Sequence, residues 1–275
     1  MQKIEEMCKL AESYKMQGSL IKSSKEYKKI LEIEPENICA MTNLADIYYI
    51  LGDIESSIKN YEKIISLKPK YALILYKLGV LYFRATKFYK AISLFDRVIE
   101  LEPDLYMAHY WKGISLYHLG KVRKSIDSFK KLQEKGEKCT LGYYHLAISY
   151  KTIGDFKQAV KYFEEILKED PNIVSVNYHL GLSYLGLSEI KKALICFKKV
   201  LDKDGEHRGA MDKMYSLVND QELLYTFGIE RAKSDDNIDE LVSNYHIGEA
   251  YKGFSSIDKA FKYFKKHIIK ESEDK

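Results

Sequence analysis

The sequence lacks long apolar runs and blocks of charge of one sign. No window approaches the roughly 20 apolar residues that a membrane-spanning helix requires, and Glu5 and Glu6 interrupt the region where a secretory signal would carry its apolar segment. The 44 basic and 40 acidic residues give a net charge of +4, and lysines are mixed with glutamates along the chain. Because apolar runs are missing, we expect no membrane insertion. Proteins that bind phosphate backbones usually gather cations on one face, and the mixed charges of this chain therefore argue against a nucleic-acid ligand.

Cysteine and the motifs of catalysis are also scarce. The four cysteines are Cys8, Cys39, Cys139 and Cys196, and no two of them are two residues apart, which argues against a zinc knuckle or a redox pair. Scattered thiols in a chain without an export signal predict a cytoplasmic protein. The phosphate-binding pattern GxxxxGK(S/T), the nucleophile pattern GxSxG and the zinc pattern HExxH are missing. We therefore expect a protein that is not an enzyme and needs no cofactor.

Proline is rare too, with four copies, but its positions reveal a repeat. Pro35, Pro69 and Pro103 are 34 residues apart, and Pro171 lies two further periods along. Small residues recur in the same register at Ala11, Ala45, Gly79, Gly113, Ala147 and Gly181. Aromatic rings recur at Tyr27, Tyr61, Phe95, Phe129, Phe163 and Phe197. Such agreement over six units predicts a repeat architecture.

Each repeated column has a physical reason that predicts a pair of helices. Leu44, Ala45 and Tyr48 fall on one face of a first helix. A second helix presents Ser57 and Tyr61, so the small side chains allow close approach and the ring fills the remaining space. Between the helices, Gly52 suits the left-handed residue after a helix end, and Asp53 suits the N-cap of the next helix.

The pattern resembles the tetratricopeptide repeat family, which shares the period of 34, the Leu-Gly/Ala pair, the following Tyr, the small–ring pair and the closing Pro. The resemblance implies one all-α domain over 1–275, a right-handed superhelical solenoid of stacked antiparallel helix pairs. Clear repeats are predicted at 4–37, 38–71, 72–105, 106–139, 140–173 and 174–207. A degenerate repeat is predicted at 208–240, because Tyr215 replaces the small residue and Arg231 replaces the ring, and a final repeat at 241–272.

The resemblance further implies that the first helices line a concave groove. The side chains just before each Leu-Gly/Ala pair, and one or two turns later, should face it. We predict a partner-binding set of Asn43, Tyr76, Lys77, Arg84, Tyr110, Trp111, Tyr144, His145, Lys151, Tyr178 and His179. Tyrosine and tryptophan favour interfaces because one end is apolar and the other forms hydrogen bonds, and Trp111 is the expected anchor.

The histidines of this groove offer little for a metal ion. His145, His179 and His246 share one column of successive first helices. Packed helices lie roughly 8–10 Å apart, whereas a zinc ion needs each ligand nitrogen at about 2 Å, so four ligands cannot converge. We predict no metal site and a weak pH-sensitive contact instead.

Two subtypes of the family fit poorly. Chaperone-binding members hold a carboxylate with a Lys/Asn clamp, but at the corresponding places this chain has Cys8, Glu12, Asn43, Leu73 and Lys77, of which only Asn43 and Lys77 fit. Sugar-transferase members carry an asparagine ladder, and here only its first rung, Asn43, is present. The sequence favours a scaffold that binds a protein segment in its groove. The alternatives are a regulatory sensor of a short peptide or small ligand and, last, an RNA-binding helical repeat.

The last predicted repeat would leave an apolar end uncovered. Phe261 and Ile268 should point to where a further repeat would pack. An exposed apolar end usually marks an interface, so we expect a homodimer or a larger complex through these residues. The alternative is limited fraying of the last helix.

Overall fold

The computed structural model describes residues 2–135 and 139–219, and these residues form 13 α-helices and no strand. The helices, α1 to α13 in order, are Gln2–Met16, Leu20–Ile33, Ile38–Ile50, Ile54–Leu67, Ala72–Arg84, Phe88–Leu101, Met107–His118, Val122–Lys135, Thr140–Thr152, Phe156–Leu167, Val174–Gly186, Ile190–Lys203 and Arg208–Asn219. None of the helices in these two ranges has the length and apolar character needed to span a bilayer.

The turns between paired helices are built on one left-handed residue, which recurs every 34 residues. Gly52 has φ +81°, and Asp53 accepts a hydrogen bond from the Ser56 N–H at 3.0 Å, as the sequence predicts. Equivalent positive φ values occur at Gly18, Gly120 and Gly154, but also at Thr86 (57°) and Ser188 (60°). The backbone of this turn is therefore set by the repeat even where glycine is absent.

The ring column forms the centre of the core. Tyr27, Tyr61, Phe95, Phe129, Phe163 and Phe197 are all fully buried or nearly so. A Cβ added at Gly79 would lie 2.7 Å from the Phe95 ring, and one at Gly113 would lie 2.6 Å from Phe129. Ring and small residue thus face each other across each helix pair, which explains why both columns keep the same register.

The small column of the second helix adds a hydrogen bond to this close approach. Ser57 Oγ donates to the Ala45 carbonyl at 2.8 Å, and Ser23 Oγ donates to the Ala11 carbonyl at 2.7 Å. Both carbonyls lie in first helices, so a buried hydroxyl links the two helices of a pair. Serine is tolerated at a fully buried position because its polar group is satisfied there.

The chain divides into two compact units, residues 1–168 and 169–275. In the first unit each helix from α1 to α10 follows its predecessor after a short turn, consecutive helices from α1 to α9 pack in sequence, and α9 packs on α10. First helices also contact one another, α5 with α7 and α7 with α9. In the second unit α11 packs on α12 and α12 on α13. The expected all-α arrangement of stacked helix pairs is present in the first unit, and the described part of the second unit contains one pair, α11 and α12, followed by α13.

Part of the predicted C-terminal organisation lies outside the described residues. Helix α13 confirms the expected helix at the start of 208–240. The rest of that segment, the repeat predicted at 241–272, and Phe261, Ile268 and His246 lie outside the described residues, and the predictions made for them stay predictions.

Candidate functional site

The solvent-facing sides of α1, α3, α5, α7 and α9 in the first unit hold most of the predicted site residues. We call this surface the first-helix face; its side chains are Asn43, Leu73, Tyr76, Lys77, Arg84, Met107, Trp111, Leu141, Tyr144, His145 and Lys151. Arg84 is exposed, and the other predicted residues among these are partly buried. Tyr178 and His179 lie in α11 of the second unit and are also partly buried.

Trp111 lies on this face but is anchored to the neighbouring helix pair. Its indole Nε1 donates to Tyr76 Oη at 2.9 Å, and its ring centroid lies 5.2 Å from that of Phe83 in an edge-on arrangement. Both partners belong to α5, so the half-buried indole joins α5 to α7. Trp111 therefore has a packing role that the sequence did not predict, beside the partner contact proposed for it.

Tyr110 differs from its neighbours because it is buried, with only 5% of its surface exposed. Its ring packs 6.2 Å from Phe129 and 5.6 Å from His145, so it fills the space between α7, α8 and α9. Burial raises the pKa of the Tyr110 hydroxyl to about 12. The sequence predicted a side chain facing the groove, and the structure instead places this one in the interior, where the ring column needs a neighbour.

His145 lies among aromatic rings. It stacks on Phe129 at 5.8 Å and meets Tyr144 edge-on at 5.4 Å. Burial lowers the pKa of His145 below its ordinary value, and the nearby His118 lowers this pKa further. The imidazole is therefore neutral at pH 7 and contributes a ring rather than a positive charge to the face.

Two polar side chains of the predicted site, Lys77 and Asn43, already bind other residues of the chain. Lys77 Nζ pairs with both carboxylate oxygens of Asp46, at 2.8 and 2.9 Å, and Tyr61 Oη donates to the same carboxylate. Asn43 Oδ1 accepts from Lys15 Nζ at 3.0 Å, while its amide nitrogen donates to the Cys39 carbonyl. Because Lys77 is already neutralised, it adds little attraction for an acidic ligand.

Arg84 is exposed and forms no ion pair with a carboxylate among the described residues. Its guanidinium lies 4.9 Å from the Tyr49 ring centroid and donates to Tyr49 Oη at 2.6 Å. A guanidinium carries five N–H donors, so this bond leaves donors for a ligand. Lys151 is half-buried in α9, and burial lowers its pKa from the ordinary lysine value.

Contacts between successive first helices recur at a spacing of 35 residues. Tyr49 pairs with Arg84, the Phe83 ring lies 5.7 Å from His118, and Tyr117 and Thr152 are hydrogen-bonded at 3.0 Å. A second series joins Tyr76 to Trp111 and Tyr110 to His145. The sequence analysis missed these pairs, although a comparison of each residue with the one 35 positions later would have shown aromatic groups opposite cations or polar groups.

The face also exposes aliphatic side chains that the sequence analysis did not select. Leu73 is 51% exposed and Leu141 is 46% exposed, and Met107 lies between them in the same 34-residue column. These residues begin α5, α7 and α9, whose sequences contain no aspartate or glutamate. The middle of the first-helix face is thus apolar and aromatic, with cations but no carboxylates of its own.

In the second unit, Tyr178 packs within the fold. Its ring lies 4.7 Å from His207, which precedes α13, and 6.0 Å from Phe197 in α12. A Cβ added at Gly209 would lie 2.7 Å from Tyr178 Oη, so glycine makes room for this ring. His179 lies beside Tyr178, with ring centroids 5.4 Å apart.

Comparisons with protein families match the chain over most of its described length. A model described as "TPR repeat" matches residues 45–85, and three described as "Tetratricopeptide repeat" match residues 76–138, 140–173 and 174–206. A comparison with curated proteins gave no match.

Solved structures of repeat proteins resemble the chain at low sequence identity. A tetratricopeptide repeat protein from Parabacteroides merdae has a TM-score of 0.66 and 18% identity, covering 97% of this chain and 92% of its own. YrrB, described as a TPR protein with an unusual peptide-binding site, has a TM-score of 0.61 and 20% identity, covering 69% and 97%. MamA 41-end from Desulfovibrio magneticus has a TM-score of 0.59 and 19% identity, covering 62% and 96%. These similarities concern the fold, and they confirm the predicted all-α helical-repeat solenoid.

Proposed function

The chain belongs to the tetratricopeptide repeat family, and on this premise we propose that it is a non-catalytic, cytoplasmic scaffold whose first-helix face binds a segment of a partner protein. The partner segment is apolar with some acidic residues. The sensor and RNA-binding alternatives stay untested predictions, since no observation in the structure favours either.

One observation carries the proposal, namely the exposed apolar column on helices without carboxylates. Leu73 and Leu141 expose about half of their surfaces in the same register, and Tyr76, Trp111 and Tyr144 lie one turn further along the same helices. Covering one half-exposed leucine contributes on the order of 1 kcal/mol. A row of such side chains with aromatic neighbours is the type of surface that a partner segment buries.

The charges around this row support an acidic component in the partner. Helices α5, α7 and α9 contain lysine and arginine but no carboxylate. Lys77 is paired with Asp46, which leaves Arg84 as the exposed cation of the face, with Lys151 a half-buried one. In the proposed complex, Arg84 binds a carboxylate of the segment while the aliphatic column binds its apolar side chains.

YrrB, a protein of the same fold, is described as a TPR protein with an unusual peptide-binding site, so a peptide ligand is compatible with this fold. The identity of 20% limits this support to the fold. The proposal therefore depends on the side chains of this chain.

Selection from a phage library of random peptides tests the proposal. Peptides of about 12 residues, extended, are long enough to cross four first helices. A selected peptide is then labelled, and its Kd is measured by fluorescence anisotropy for the wild type and for Leu73→Ser/Leu141→Ser. We expect binding to weaken by about tenfold or more, because two apolar contacts worth on the order of 1 kcal/mol each are lost.

The matched control is Ile33→Ser/Ile195→Ser, which removes two aliphatic side chains of similar exposure, 51% and 57%, from second helices. Its Kd should stay within about twofold of the wild type, and circular dichroism should show equal helicity for all three proteins. If the two variants lose affinity equally, or if neither does, the first-helix face is not the binding surface.

A further inference from the structure

The turns between paired helices lie together at one edge of the first unit. Each second helix runs back along its first helix after a turn of three residues, so all first helices share one direction. The five turns, each with the last four residues of the first helix and the first four of the second, are 13–23, 47–57, 81–91, 115–125 and 149–159. We call this surface the turn edge.

Contacts between neighbouring turns join this edge from the second turn to the fifth. Arg84 contacts Tyr49, which joins the second and third turns. Lys121 Nζ lies 4.7 Å from the Tyr89 ring centroid, which joins the third and fourth. Tyr117 and Thr152 join the fourth and fifth.

The turn edge has an excess of basic residues, although these residues are distributed over separate segments of the sequence. Its five segments contain ten lysines and arginines against three acidic residues. The described segments at the opposite edge, residues 30–41, 64–75, 98–110, 132–135 and 139–143, contain three basic against seven acidic residues. The cations form groups of two or three in four of the five turns, and these groups become one surface only when the repeats stack.

Most of these cations are available to a ligand. The exposed ones are Lys22, Arg84, Lys87, Lys90, Lys121, Arg123, Lys124 and Lys157. Within residues 2–135 and 139–219, none of these eight forms an ion pair with a carboxylate. Lys90 and Lys121 instead lie over tyrosine rings, at 5.1 and 4.7 Å from the centroids.

Large apolar side chains project from the same turns. Met16 is 90% exposed, Tyr89 66%, Ile21 65% and Ile50 58%. These exceed every other exposed fraction among large hydrophobic residues of the first unit within the described residues. Exposed aliphatic and aromatic groups interleaved with unpaired cations are typical of surfaces that lie at the boundary of an anionic membrane.

We propose that the turn edge binds peripherally to an anionic lipid surface, with the lysines near the headgroups and Met16, Ile21, Ile50 and Tyr89 at the boundary with the acyl chains. A nucleic acid would satisfy the cations but offers little to aliphatic side chains. The lipid surface satisfies both features. The turn edge lies at the ends of the first helices and the aliphatic column of the proposed peptide site at their beginnings. The two surfaces share Arg84 and Lys151, which none of the variants below changes.

Sedimentation of the full chain with vesicles tests the charge contribution. The probes are vesicles of phosphatidylcholine alone and of phosphatidylcholine with phosphatidylserine. We expect binding only to the anionic vesicles, with a decline at high salt. Lys87→Glu/Lys121→Glu should weaken this binding by about tenfold or more, whereas Lys68→Glu/Lys70→Glu, an equal charge change at the opposite edge, should leave it nearly unchanged.

A second pair of variants separates a lipid surface from other anions. Met16→Ser/Ile21→Ser should weaken vesicle binding severalfold, and Ile33→Ser/Leu67→Ser at the opposite edge should not. Absence of binding to anionic vesicles, equal effects of both charge reversals, or no effect of the Met16/Ile21 variant would overturn the proposal. Binding to polyuridylate but not to vesicles would also overturn it and assign the edge to nucleic acid. The Kd of a selected peptide should be unaffected by the turn-edge variants, so failure here is distinct from failure of the scaffold function.

Discussion

At the scale of single residues, two tyrosines of the ring column show that neighbouring side chains determine whether a buried hydroxyl stabilises or destabilises the protein. Tyr61 is buried, and its hydroxyl donates to Asp46. Tyr27 is fully buried one repeat earlier, but its hydroxyl has no hydrogen-bond partner among the described residues. The residue that corresponds to Asp46 there is Glu12, which is exposed. Burial is the largest factor that raises the pKa of both hydroxyls, so both remain protonated at neutral pH.

Tyr27→Phe should therefore stabilise the protein. An unsatisfied buried hydroxyl costs on the order of 1 kcal/mol, and the chain already uses phenylalanine in this column in four repeats. We expect the free energy of unfolding to rise by about 1 kcal/mol in urea titrations followed by circular dichroism.

The control is Tyr61→Phe, which removes the same atom where it is bonded. It should lower the free energy of unfolding by about 2 kcal/mol, because a hydrogen bond to a charged acceptor is lost. Equal effects of the two substitutions would show that the Asp46 contact does not distinguish them.

The sequence predicted which repeated positions are buried, but it did not predict the side-chain contacts between neighbouring repeats. Burial of the rings follows from the 34-residue register, and the structure confirms it at every member from Tyr27 to Phe197. The inward position of Tyr110 did not follow, because Tyr76 and Tyr144 share its column and are partly exposed. Nor did the pairing of Lys77 with Asp46, which joins residues 31 positions apart in two different repeats. Such facts depend on the neighbouring repeat, and a pattern within one repeat does not contain them.

At the scale of helices, the turn between paired helices requires a left-handed backbone residue, and in two repeats that residue is not glycine, which costs free energy. Thr86 and Ser188 have φ values of 57° and 60°, where the same turn elsewhere uses glycine. A β-branched residue in this region is strained. The sequence analysis assigned a left-handed residue only to Gly52, and Thr86 and Ser188 lie at the same position of the 34-residue repeat.

Thr86→Gly should relieve the strain. We expect the free energy of unfolding to rise by about 0.5–1 kcal/mol, since relief of a cost of about 1–2 kcal/mol is partly offset by the greater freedom of glycine in the unfolded chain. Denaturant titration measures this difference, and Ser188→Gly should behave in the same way to a smaller extent.

The reciprocal substitution, Gly52→Thr, tests the cause. A Cβ at Gly52 would meet nothing within 4 Å, so any loss reflects the backbone conformation and not a clash. Stability should fall by about 0.5–1 kcal/mol. A neutral Gly52→Thr together with a destabilising Thr86→Gly would mean that the threonine side chain makes a favourable contact at residue 86.

At the scale of the whole molecule, the repeat arrangement creates two surfaces that share only Arg84 and Lys151, and it limits how far a perturbation travels. The aliphatic column starts the first helices, and the turn edge lies at their other ends. The sequence predicted the first of these surfaces through its column register. It did not predict the second, because the cations lie in small groups in separate turns and become one surface only when antiparallel pairs stack.

A substitution at Phe129 can show how far a local loss of stability spreads along the stack of helices. This fully buried ring packs against Tyr110 in α7 and His145 in α9, so it contributes to the interface between two repeats. In a stack where each repeat contacts only its neighbours, stability is approximately a sum of repeat and nearest-neighbour contributions. Phe129→Leu, which removes about 1–2 kcal/mol of packing, should therefore speed amide hydrogen exchange most in α7 and α8, less in α6 and α9, and least in α1 and α2. Exchange measured by mass spectrometry on peptides from each helix gives this gradient.

The control is Ile195→Leu, at an exposed position of α12, which should leave the exchange rates of all helices unchanged. A uniform acceleration from α1 to α10 in the Phe129 variant would instead show that the first unit opens only as a whole, because interfaces stronger than the individual repeats would then couple distant helices into one cooperative transition.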